Sequence, residues 1–269
     1  MYKQKKIIST FVIIAILGLA VALSGCEEEK IVENKIIVGT SADFPPFEYI
    51  DENGDIVGFD IDLITAILEN LNYTVEVKDI GWDPLIPSIQ AGNIDVIAAG
   101  MTITEDREEQ IDFSTPYYEA DQSILIKTGS GVEINESLDL ENFTLSIVNL
   151  TVGAQIGTTG ALWIQENLID EGLMDEDNLK LYDLYIDAVA DLDVGRERLD
   201  IVIVDSPVAE SFAEDPGREV VYTIITNEYY GFGVKKGNTE LLDEINQELT
   251  TFLVSEEWDN LIDKYFKEE

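Results

Sequence analysis

From Ile36 onward the chain alternates two hydrophobic rhythms. Short apolar runs at Ile36-Ile37-Val38 and at residues 75–77, 94–98, 201–204 and 232–234 have the length and β-branched content of buried strands. Between them apolar residues fall three and four apart. Ile61, Ile64, Ile67, Leu68 and Leu71 mark one helical face, and Leu241, Leu242, Ile245, Leu249, Phe252 and Leu253 mark another. Ser255 is placed to cap a last helix whose Trp258, Leu261, Ile262, Tyr265 and Phe266 read as core. This alternation predicts an α/β fold of open, mostly parallel sheets with helices on both faces, and sheets of that kind bind ligands beyond the carboxyl ends of their strands. Four segments sit at such ends: residues 39–47, 99–107, 155–160 and 205–206.

Of these, Ala98-Ala99-Gly100-Met101-Thr102-Ile103-Thr104-Glu105-Asp106-Arg107 carries the most chemistry. Its small residues let a ligand approach bare main chain, and Arg107 offers a planar fork of donors matched to the two oxygens of a carboxylate. The competing reading is a surface arginine paired with Glu108 or Asp112. For Asp205 the competing reading is a helix cap ahead of Ser206 and Pro207, and for Phe44 and Trp82 it is ordinary core.

The 269 residues suit two compact lobes. Lys3, Lys5 and Lys6 precede an apolar run over residues 7–23, the pattern of an export signal. Leu23-Ser24-Gly25-Cys26 resembles the lipobox of lipoproteins, which implies cleavage before Cys26 and lipid on its sulfur; an uncleaved anchor helix is the alternative. Either way the rest lies outside the membrane. Cys26 is the only cysteine, so no intrachain disulfide staples the fold. The formal charge is −39, and removing the three signal lysines takes it to −42. Nucleic-acid binding is thereby excluded, because phosphate neutralisation needs clustered Lys and Arg. Self-repulsion of this size opposes compaction unless salt screens it, which points to a salt-tolerant or salt-requiring host; lineage drift toward acidic surfaces is the other reading. With no histidine, a histidine triad, metal site or pH switch is ruled out, and neither a metal nor a cofactor is predicted.

Gly39-Thr40-Ser41-Ala42-Asp43-Phe44-Pro45-Pro46-Phe47-Glu48 and Val57-Gly58-Phe59-Asp60-Ile61-Asp62-Leu63 resemble the opening of the polar amino-acid-binding proteins of ABC importers. Trp82-Asp83-Pro84-Leu85-Ile86-Pro87, residues 98–107, Asp112-Phe113-Ser114-Thr115-Pro116-Tyr117-Tyr118, Gly157-Thr158-Thr159-Gly160 and residues 200–205 continue the resemblance in order, over nearly all of residues 36–266. It implies two Rossmann-like lobes joined by two crossing segments, the type II periplasmic-binding-protein architecture. The implied layout is a lipoprotein signal peptide over residues 1–25, a tether over 26–35, a first lobe of 36–118 plus 230–269, and a second of 119–229. Crossings would run through residues 119–127 and 229–234, and closure would be a hinge motion.

The same resemblance implies roles for individual residues. Arg107 would grip the α-carboxylate with help from the backbone of Thr102 and from Thr158 and Thr159. The Gly100 carbonyl and Thr102 hydroxyl would meet the α-ammonium together with Asp205. Phe44 and Trp82 would sandwich the ligand side chain, with Gln155 near its far end and Gln122 near the crossing. Two departures stand out. Ser41 replaces an aspartate that many relatives use on basic or amide side chains, which weakens an arginine or lysine ligand unless Glu48 or another acid compensates. Phe143-Thr144-Leu145-Ser146-Ile147-Val148 reads as an added strand or loop of lobe two.

The implied function is a non-enzymatic, monomeric receptor, anchored by lipid, that hands a polar amino acid to an ABC importer permease. Two other classes share the scaffold. A cyclohexadienyl dehydratase-like enzyme would need Glu119 or Asp205 as general acid with a second catalytic group, and no such partner stands out. An extracellular sensor module would signal through a separate protein.

Overall fold

The computed structural model describes residues 34–135 and 137–267. The export signal and Cys26 lie outside the described residues. Two five-stranded sheets organise the rest. In the first, β1 (Lys35–Thr40) is flanked by parallel strands β5 (Thr74–Asp79) and β6 (Val96–Ile97). A small antiparallel sheet of β2 (Asp43–Phe44), β3 (Glu48–Ile50) and β4 (Ile56–Val57) follows β1. The first sheet ends with β7 (Ile111–Phe113) and with β13 (Gly233–Lys235), which pairs antiparallel to both β6 and β7.

The second sheet orders β10 (Leu179–Tyr182), β9 (Val152–Gln155), β11 (Ile201–Asp205), β8 (Tyr118–Lys127) and β12 (Arg218–Tyr230). Its first three strands are parallel, and β8 and β12 run against their neighbours. Both sheets are thus mixed rather than mostly parallel. The reversals fall where the chain enters the second sheet along β8 and returns along β12 into β13. The two crossings travel side by side, with Tyr230 opposite Tyr118, and Tyr230 also bridges to Thr102.

Helix faces follow the sequence rhythm. The helix Phe59–Asn70 buries Ile61, Ile64, Ile67 and Leu68, and the helix Thr239–Phe252 buries Leu241, Ile245, Leu249 and Phe252. Ser255 accepts from the Trp258 N–H and starts the helix Glu256–Phe266, whose apolar residues are only half-buried. Residues 143–148 are a correction. They form most of the helix Leu140–Ile147, capped by Asp139, because Phe143 and Ile147 stand four apart and both bury. Leu145, whose alternation with them suggested a strand, is exposed. The Phe143 ring stacks on Tyr222 of β12 at 3.9 Å, which docks the helix on the second sheet's edge.

Apolar residues pack on both faces of the sheets. One cluster joins Ile124, Phe143, Ile147, Ile201 and Ile203 in the second lobe, and another joins Leu85, Ile89, Ile94, Ile97 and Ile111 in the first. The largest runs continuously through the crossings, where Phe47, Tyr118 and Tyr230 meet with centroids 5.0 to 6.0 Å apart. Aromatic pairs at these separations add about 0.5–1.5 kcal/mol each beyond area burial, so these contacts tie the crossing strands to the first sheet's side. Among the described residues no helix is long and apolar enough to cross a membrane.

Candidate functional site

One cavity lies between the two sheets, at the carboxyl ends of β1, β6, β9 and β11. Phe44, Trp82, Gly100, Thr102, Arg107, Gln155, Thr158, Thr159 and Asp205, all nine residues singled out in the sequence, line it. Ser41, Asp43, Glu48 and Tyr185 complete its wall. About 10 Å³ of it is open to the centre of a water molecule, room for one water.

The main chain around Gly100 is shaped from behind. Gly100 has φ +50°, and a Cβ there would stand 2.7 Å from the Phe44 ring. Its N–H donates to Asp60 at 2.8 Å, and the Tyr117 hydroxyl donates to the same carboxylate oxygen at 2.6 Å. Burial raises the Asp60 pKa to about 7 against those two bonds. Further along the same segment, Thr104 caps the short helix Glu105–Glu108 through the Arg107 N–H.

Arg107 is 8% exposed. It donates to the Thr102 carbonyl at 2.7 Å and, across the cleft, to the Gly157 carbonyl at 3.1 Å, with its guanidinium 5.1 Å from the Trp82 ring centre. Burial lowers its pKa, opposed by Asp205 and Glu228, and an arginine in that setting stays charged. The surface-pair reading fails because Asp112 pairs with Lys236. Trp82 accordingly stacks on Arg107, and Phe44 packs against Tyr185 at 5.5 Å.

On the opposite wall Asp205 starts the helix Ser206–Ala213 without a side-chain cap bond. Its carboxylate turns inward and accepts from Gln122 at 2.6 Å and from the Tyr230 hydroxyl. Burial, then the charge of Glu228, raises its pKa to about 7. Thr158 does cap its helix, through the Ala161 N–H, and also receives the Tyr185 hydroxyl at 3.2 Å. Gln155 donates to the Asp183 carbonyl at 2.7 Å.

Acids that sequence reasoning gave little weight dominate the remaining wall. Asp43 accepts from Ser41 at 3.0 Å and, across the cleft, from the Tyr185 N–H at 2.6 Å; burial raises its pKa to about 6. Both Glu48 oxygens are buried without a hydrogen-bond partner. Burial first, then Asp60, Asp43 and Asp205, hold its pKa well above the ordinary value. Asp43 and Glu48 were visible as acids beside the first strand's end. Tyr185 follows the end of β10, a strand that the hydrophobic pattern did not mark. Glu228 of β12, which bonds two of the cavity's threonines, carried no local signal at all.

The arrangement holds one guanidinium, Arg107, against the carboxylates of Asp43, Glu48 and Asp205. Arg107 and Asp205, on facing walls, suit a guest with both signs.

The model of the bacterial extracellular solute-binding proteins, family 3, matches residues 36–268. The chain is 32% identical over 246 residues to the arginine-binding extracellular protein ArtP of Bacillus subtilis (strain 168), covering 90% of this chain and 89% of that one. Solved structures of an ancestral arginine-binding protein, one bound to arginine and one bound to glutamine, are each 37% identical with a TM-score of 0.77, over 87% of this chain and 99% of theirs.

Proposed function

This chain belongs to the bacterial extracellular solute-binding proteins of family 3, and from that premise we propose that it captures an amino acid with a cationic side chain between its lobes and delivers it to an ABC importer. Like the relatives it matches, it is a substrate-binding protein and not an enzyme. The observation that carries the finer reading is Glu48. A carboxyl group with both oxygens buried and unbonded, beside three further acids, keeps its proton unless a cation comes against it, and a ligand's distal cation would supply that partner.

In this reading Arg107 takes the α-carboxylate and Asp205, with the Gly100 carbonyl and Thr102, the α-ammonium. The distal cation passes between Phe44 and Trp82 toward Glu48, near Gln155. Glu48 then replaces the aspartate absent at Ser41. Thr158 and Thr159 border the carboxylate end. A zwitterion leaving water must keep both poles paired, and Arg107 and Asp205 stand on different lobes, so the ligand binds the closed state with higher affinity. The lobes are residues 36–118 plus 230–269 and residues 119–229. Lipid at Cys26 holds the monomer at the outer face of the membrane, and residues 26–35 serve as its tether.

A thermal-shift screen of the common amino acids at several salt concentrations tests this. Arginine or lysine is expected to raise the melting temperature most, and Glu48→Gln to cut the affinity for that ligand by about tenfold or more, the loss of a charge-assisted bond. A larger shift with glutamine, or a Glu48→Gln protein that binds the cation unchanged, defeats the cationic reading while leaving amino-acid capture standing.

A further inference from the structure

Glu228 lies on β12, where the strand returns toward the first sheet. Pairing with β8 slips there: Ile224 faces Gln122 and Glu228 faces Ala120, so residues 225–227 stand opposite the single Asp121. The Asp121 carboxylate accepts from the N–H groups of Thr226 at 2.8 Å and Asn227 at 2.9 Å, and Asn227 takes a left-handed φ of +54°. A bulge of this sort re-aims the side chain that follows it. Here it turns Glu228 toward the cavity's floor. One of its oxygens accepts from the hydroxyls of Thr102 at 3.1 Å and Thr159 at 2.6 Å, residues on opposite lobes, and Gln122 donates to the carboxylate at 3.3 Å. Arg107, Asp205 and Tyr185 are the charged or titratable groups that feel its charge.

A threonine hydroxyl owns one hydrogen and two lone pairs. Once the hydrogen goes to a carboxylate, only lone pairs face the other way. Thr159 has also taken a hydrogen from Gln122 at 3.3 Å, which uses one of its two lone pairs. Thr102 keeps acceptor capacity toward the cavity.

We propose that Glu228 is a positioning residue that sets the polarity of the cleft floor: by holding the Thr102 hydrogen it leaves that hydroxyl able only to accept, so this point of the site reads the ligand's α-ammonium and discriminates against ligands without one. The inference rests on the amino-acid reading above and adds to it a residue that touches the ligand only through Thr102. Glutamine in place of Glu228 keeps the shape but turns one of the two acceptor oxygens into a donor, so it no longer accepts from Thr102, Thr159 and Gln122 together and its hold on the Thr102 hydrogen weakens.

The test is calorimetry, with displacement titration for the weaker ligand, on L-arginine and on 5-guanidinopentanoic acid, the same molecule without its ammonium. Glu228→Gln is expected to weaken L-arginine by about tenfold or more, the worth of a hydrogen bond to a charged group, and to leave the deaminated acid within about twofold, so that the ratio of the two collapses. Glu228→Asp, which keeps the carboxylate, is expected to restore most of the ratio. Equal losses on both ligands would reduce Glu228 to a structural strut and overturn the proposal, as would an unchanged ratio. If the wild-type protein is blind to both L-arginine and L-lysine, the cationic reading fails separately. The same comparison then runs on L-glutamine and its deaminated counterpart, glutaramic acid, where a collapsed ratio supports the role of Glu228 and an unchanged one overturns it.

Discussion

The two ends of the cavity treat charge in opposite ways. At one end Arg107 is held in place: two carbonyls, Thr102 and Gly157, take two of its five hydrogens and Trp82 lies against its face. At the other, Glu48 is just as buried and bonds to nothing. A charge held by fixed dipoles is already oriented for a ligand pole and needs no reorganisation to receive it. An unpaired buried carboxylate costs the protein free energy that only a cation or a proton relieves. On the reading proposed above, the contrast teaches that the end meeting the ligand's carboxylate is preformed by the backbone, whereas the end meeting its cation is completed by what arrives.

The largest effect expected on this contrast is at the preformed end. Arg107→Ala should weaken amino-acid binding by at least about 100-fold, since it leaves a buried carboxylate without its partner, while far-ultraviolet circular dichroism stays native. Unchanged affinity by calorimetry would dissolve the distinction between the ends. Trp82→Ala should cost less, about three- to thirtyfold, because it removes a cation–π contact and leaves the guanidinium's hydrogen bonds in place.

Next in size is the pH dependence set by the acid-rich end. Asp43 is raised from 3.8 to about 6, Asp60 and Asp205 from 3.8 to about 7, and Glu48 well above 4.5. For an acid whose folded pKa lies above its unfolded one, the folded state holds the proton longer, so stability falls as pH rises between the two values. The ligand-free melting temperature should therefore drop between about pH 4 and pH 7, and Glu48→Gln should flatten that drop. A melting temperature that climbs steadily over the same interval would show that these carboxylates are paired in solution. The general acidity of the surface acts in the same direction, and salt separates the two contributions. Raising the salt should lift the melting temperature at neutral pH by weakening exposed repulsion, with little effect on the buried cluster's share, because mobile ions screen exposed charges far better than buried ones. This is the smallest effect, and its absence would argue against a host adapted to salt.

Much of the site was legible before the fold. The rule that ligands gather at strand ends, applied to residues 39–47, 99–107, 155–160 and 205, selects residues that line one cavity, because each is fixed by its own strand's end. Trp82 and Phe44 were nameable by resemblance, though the partners they pack on were not. Helix faces were readable wherever their period was long. The period misled at residues 143–148, where so short a run cannot separate a strand's alternation from a helix with Phe143 and Ile147 four apart.

What the sequence determined by itself is the long-period helices and the apolar strands, the export signal as an expectation, and the chemical types at the strand ends it marked, since all are encoded within a few neighbouring positions. Tertiary structure alone decided which charges are bonded and which are not. Asp60 reaches Gly100 across 40 positions, and Glu228 reaches Thr102 across 126. Whether a buried acid such as Glu48 finds a donor depends on every chain segment that packs around it, and no local pattern of residues carries that sum.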